Sequence, residues 1–225
     1  SMKRIQAIFM KDYKELSRNY AVSTMVLLLL LLAFFYTKSG ANTMQMYFLP
    51  INMTLAIVTA FIQCCLMAEE KESNTLRSLM MSPASIADIL IGKSSLVFSI
   101  SAVILALTIY LVGYNPVNII VLALALIVSI VFYLALGTIC GLYTKTVMEA
   151  SVAVLPVMGL FSFGPLALSL SEKYPALTVA EWLPSAQLIL LAESLEMVAP
   201  AKELIVPFVV MIAWTVLALV VTTVL

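Results

Sequence analysis

Six long apolar runs leave this chain few ways to fold. They cover about residues 20–36, 46–67, 94–112, 117–142, 150–170 and 204–225. Stretches of roughly 17 to 25 apolar residues are what a hydrocarbon layer about 30 Å thick demands of a spanning helix. Inside that layer the backbone has no water to bond, so only helices or closed barrels cross it, and unbroken apolar runs contradict the alternation of barrel strands. Composition agrees: 63% of the 225 residues are hydrophobic and 11% charged, with mean hydropathy +1.11, too apolar for a dispersed soluble domain. The expected fold class is all-α: a polytopic membrane protein whose six-helix domain spans residues 20–225.

What lies between the runs sets the organisation. In residues 2–19 the apolar Ile5, Ile8, Phe9, Tyr13 and Leu16 recur at helical spacing, with Lys3, Arg4, Lys11 and Lys14 between them. This is the pattern of an amphipathic helix lying in the headgroup layer. Gln63, inside the second run, suits a hydrogen bond between helices. Pro156, Gly159, Gly164 and Pro165 predict a kink or break in the fifth span. Residues 171–203 mix carboxylates with Trp182 and the apolar run 188–192, which fits a short extracytoplasmic re-entrant hairpin whose second helix is capped by Ser185.

The most informative polar stretch is 69–93, which gathers seven charges between the second and third runs. Leu76, Leu79 and Met80 fall at helical spacing, so the helix leaving the second run is expected to continue to Met81 with Glu70, Ser73, Asn74 and Arg77 facing water. Pro83 then stops it. Ser85 and Asp88 form a Ser-x-x-Asp box that starts the next helix. The result is an elbow at the membrane surface. Nine of the twelve basic residues, including Lys71, Arg77, Lys93 and Lys145, fall on the side of the elbow and both termini, which makes that side cytoplasmic by the positive-inside rule.

Chemistry is sparse. The chain has no histidine, which removes the zinc-protease and Ser-His arrangements. Cys64, Cys65 and Cys140 lie in apolar runs and read as packing residues. Ile91-Gly92-Lys93-Ser94 imitates the end of a phosphate-binding loop, but residue 87 is Ala87 where the first glycine should stand. No catalytic, cofactor or metal site is expected in the chain, and zero net charge gives no field for nucleic acid.

Glu69-Glu70-Lys71-Glu72, followed by Thr75-Leu76, Leu79, Pro83 and Ser85, resembles the cytoplasmic loop between the second and third spans of ABC-2-type exporter permeases. The resemblance implies a transmembrane subunit working as a homodimer, or with a similar permease, in a bacterial cell membrane. A separate ABC ATPase would carry ATP and Mg and dock on the elbow. Glu69, Glu70, Glu72, Thr75, Leu76, Leu79, Pro83 and Ser85 are the expected coupling residues: carboxylates for charge-assisted contacts, leucines as the anchor, Pro83 and Ser85 for the bend. The spans, lacking mid-membrane charges, suit an amphipathic or hydrophobic cargo, peptide or drug-like, with no substrate residue indicated. A membrane scaffold or immunity protein, or a secondary carrier, is the alternative.

Overall fold

The computed structural model describes residues 2–40 and 42–225, and leaves the side chains of Leu76 and Leu79 outside the description. Among the described residues the regular structure is all helical, with no strand. Helix α1 spans Met2–Ser17 and α2 spans Tyr20–Lys38. The second span, Met44–Glu72, is built from α3 (Met44–Thr54), a π-helical stretch (Leu55–Phe61) and α4 (Ile62–Glu72). The short helix α5 covers Thr75–Met81. There follow α6 (Ile86–Val112), α7 (Ile119–Tyr143), α8 (Val147–Phe163), α9 (Pro184–Glu196) and α10 (Ala201–Val224). Among the described residues, six helices are long and apolar enough to cross a membrane, starting at Tyr20, Met44, Ile86, Ile119, Val147 and Ala201. Each overlaps one of the apolar runs.

The second span is the centre of the bundle. In its most apolar window 78% of the residues are buried, against 11% for α2 and 22% for α10. Helices α6, α7 and α8 pack around it, α2 lies on α6, and α10 lies on α7. Its polar side chains tie it to its neighbours. The Thr59 and Ser101 hydroxyls meet at 2.6 Å, and Gln63 Nε2 donates to Ser94 Oγ at 3.2 Å and to Thr138 Oγ1 at 3.1 Å. Gln63 thus makes the helix-to-helix bond its position predicts. In a medium without water, such bonds fix register between otherwise slippery apolar faces.

Close approach to α7 depends on Gly137 and Gly141. A Cβ on Gly137 would stand 2.4 Å from the Ala60 carbonyl oxygen, and one on Gly141 would stand 2.6 Å from Met67 Cβ. Glycines four residues apart on one helix face let two backbones touch.

The fifth span passes from α-helix into 3-10 helix at Gly164, near the predicted break. Beyond it, a 3-10 helix (Pro175–Trp182) and α9 meet at 81°. Helix α9 is buried along most of its length against α3, α7 and α10. Ser185 does not cap it: Pro184 takes the first helical position, Leu183 becomes the cap residue, and Ser185 falls one place inside.

Gly137→Ala should lower the melting temperature of the purified protein in detergent, corresponding to about 1–3 kcal/mol of overpacking. Gly159→Ala, inside α8 with nothing within 4 Å of the added methyl, should leave it unchanged or raise it slightly, since alanine is the better helix former.

Candidate functional site

The elbow departs from expectation in one respect that reorganises it. The helix does not run on to Met81. It stops at Glu72, and the chain turns at Ser73 and Asn74, with Asn74 in the left-handed region at φ 56°, a conformation asparagine tolerates better than most residues. Helix α5 then starts in a new direction. Glu70 turns inward instead of facing water with Ser73, Asn74 and Arg77: its side chain is 4% exposed.

What it turns toward is Lys93. This lysine is 1% exposed, and its ammonium lies 2.9 Å from Asp12 Oδ2, 3.1 Å from Asp12 Oδ1 and 2.9 Å from Glu70 Oε1. Asp12 is fully buried. Lys11 Nζ reaches the same Glu70 oxygen at 2.5 Å, and the Thr75 hydroxyl donates to Glu70 Oε2. Two carboxylates and two ammonium groups form a neutral cluster joining α1, the end of the second span and the start of α6. Burial opposes the charge on Lys11, but the Glu70 carboxylate outweighs it and holds the pKa above the ordinary lysine value. A raised lysine pKa means the contact contributes fully below the ordinary value and is lost only as pH rises through the raised one, so it is intact at physiological pH.

Apolar contact seats α1 for this bond. Ile8 is buried, and a Cβ on Gly92 would stand 2.9 Å from Ile8 Cβ. Helix α1, expected as a basic amphipathic helix, packs its face Ile8-Asp12 directly on α6. Arg4 extends the same seam, donating to the Pro83 carbonyl and standing 3.9 Å from Asp88 Oδ2. Ser85 and Asp88 form the predicted capping box, with both bonds present at 3.1 and 3.2 Å.

The far side of the elbow is tied to the α7–α8 turn. Lys71 donates to the carbonyls of Leu142 and Thr144, and Glu72 Oε2 accepts from the Val147 amide at 2.8 Å. Glu69 is exposed. Thr75 is half-buried, and Pro83 and Ser85 are exposed. Among the expected coupling residues, Leu76 and Leu79 have side chains outside the described structure. Arg77, Ser78, Met80 and Met81 are exposed on α5, a surface of mixed charge and apolar bulk with room for a partner.

Asp12 and the pairing of Lys11 and Lys93 with buried carboxylates are not among the expected features, yet the sequence carries two signals of them. Asp12 falls four residues from Ile8 and four from Leu16, so a carboxylate sits on the apolar stripe of α1. Lys93 falls likewise between Ile89 and Val97 on the buried face of α6.

This is a multi-pass helical membrane protein whose second and third spans are joined by an ion-locked elbow. The family model described as ABC-2 family transporter protein matches residues 2–224, and the chain belongs to that family: it is a membrane permease of an ABC system. A comparison with curated proteins finds no match.

Lys93→Met removes one of the cluster's two cations, leaving Glu70 to Lys11 alone and the buried Asp12 carboxylate without its ammonium partner. It should destabilise the protein by about 3–5 kcal/mol. Adding Asp12→Asn and Glu70→Gln to it should recover most of that loss in a denaturation series.

Proposed function

We propose that this chain is the transmembrane subunit of an ATP-driven exporter, moving an amphipathic or hydrophobic cargo outward with power from a separate ABC ATPase that binds ATP and Mg. The observation that carries this reading is the elbow's construction. Helix α5 packs on the end of the second span and exposes Arg77, Ser78, Met80 and Met81, while its base is bonded to α1, α6 and the α7–α8 turn at once. A force applied to α5 therefore reaches four segments of the membrane domain. The elbow end faces the cytoplasm, as its basic residues favour, and two copies of the chain, or this chain with a similar permease, sit above two ATPase subunits.

The expected coupling residues divide by role. Thr75, Leu76, Leu79, Pro83 and Ser85, with Arg77 and Met80, form the docking face. Glu70 is a positioning residue, holding α5 against the Lys93 cluster through Thr75 and Lys11. Glu72 anchors the elbow to α8, and Glu69 faces a lateral groove beside it.

Affinity capture of the solubilised protein from its native membrane should recover an ATP-hydrolysing subunit. Capture through the Leu76→Ala/Leu79→Ala variant should recover at least about tenfold less, corresponding to the loss of a central apolar anchor. Recovery of no nucleotide-binding subunit with the unaltered chain would favour the scaffold or carrier reading.

A further inference from the structure

A lateral groove of about 620 Å³ opens between α2, the elbow end of the second span and α8. That is within the roughly 300–1,000 Å³ common for small-molecule sites. Val22 and Met25 of α2 and Phe61 of the second span give it apolar walls, and Cys65 stands among them. Glu69 and Glu72 also line it, and no lysine or arginine does.

The two carboxylates are three residues apart on one helix, so they share a face and repel each other. Both are exposed. Glu72 is partly satisfied by the Val147 amide. The carboxylate of Glu69 has no hydrogen-bonded or ion-paired partner among the described residues. The nearby ammonium groups of Lys11 and Lys93 are already spent on Glu70 and Asp12. Unpaired negative charge beside apolar walls favours a positive group attached to an apolar body, and rejects the same body carrying negative charge.

We propose that this groove binds an organic cation with an apolar body, a cationic amphiphile, with its charge against Glu69 and Glu72 and its hydrocarbon along Val22, Met25 and Phe61. The proposal rests on the permease reading, which gives such a site its purpose, and narrows the cargo to one charge class.

Tetraphenylphosphonium and tetraphenylborate test it, because they share a shape and differ in charge. The full chain is placed in nanodiscs of neutral lipid, and maleimide labelling of Cys65 is followed by peptide mass spectrometry. Tetraphenylphosphonium should slow labelling saturably, and tetraphenylborate should not. In the Glu69→Gln/Glu72→Gln variant the half-protecting concentration should rise at least about tenfold. Glu69→Lys/Glu72→Gln, which leaves the groove lining with one positive charge and is checked for an unchanged melting temperature, should lose protection by the cation and gain it from the anion. Absent protection, equal protection by both ions, or protection unaltered in the variants would overturn the proposal. So would a Cys65–Cys65 crosslink between two copies formed without ligand, since the groove would then belong to an interface. No ATPase is in the assay, so its failure removes the ligand class and leaves the ATPase-coupled reading to its own capture experiment.

Discussion

A lysine with 1% of its side chain exposed cannot be left alone. Removing an ammonium group from water costs several kcal/mol even after relaxation, and only close, well-oriented carboxylates offset it. Lys93 finds them on two other segments, Asp12 of α1 and Glu70 at the end of the second span. The first helix, the second span and the third must therefore meet at one point. Such a cluster adds little net stability over a well-packed apolar core. Its value is registry, because half-formed arrangements leave a charge unpaired. The turn at Ser73 and Asn74, the inward Glu70 and the outward α5 all accompany that meeting.

The rest of the bundle is arranged to keep the second span in place. Its hydroxyl and amide bonds to α6 and α7, and the bare glycine face of α7, hold it at fixed depth and rotation. Its lower end carries Glu70, Lys71 and Glu72, which bond in turn to α1 with α6, to the end of α7, and to the start of α8. A rigid centre with such a base is suited to converting a push at the elbow into relative movement of the spans. The lateral groove lies against that same base, so its shape depends on where the elbow sits.

Much of this was legible in the sequence. Apolar run lengths place all six spans because the bilayer dictates length directly, and the Ser85–Asp88 box fixes the start of α6 because capping is local chemistry. The elbow's position and the bond made by Gln63 followed from equally short-range arguments. Glu70 did not, because a carboxylate in a polar stretch looks solvated until a buried cation elsewhere claims it. That cation, Lys93, was masked by its likeness to a phosphate-loop lysine, and Asp12 by the basic residues around it. Each sat on an apolar helix face, where a charge asks for a partner. The break at Asn74 was equally hidden, since Leu76 and Leu79 continue the helical period across it. The groove arises from three segments far apart in sequence, which no local pattern could bring together.

Through Lys93 and Asp12, α1 is held as one body with the start of α6. Distances between spin labels placed as non-canonical residues at exposed positions Tyr13 and Ile91, with the native cysteines retained, measure it most directly. They would be recorded in the captured complex with and without ATP. The locked arrangement should give a single narrow distance that does not change with nucleotide, and a broadened one when Asp12→Asn is introduced. A distance that shifts with ATP in the unaltered chain would show that α1 moves independently of α6, and would contradict it.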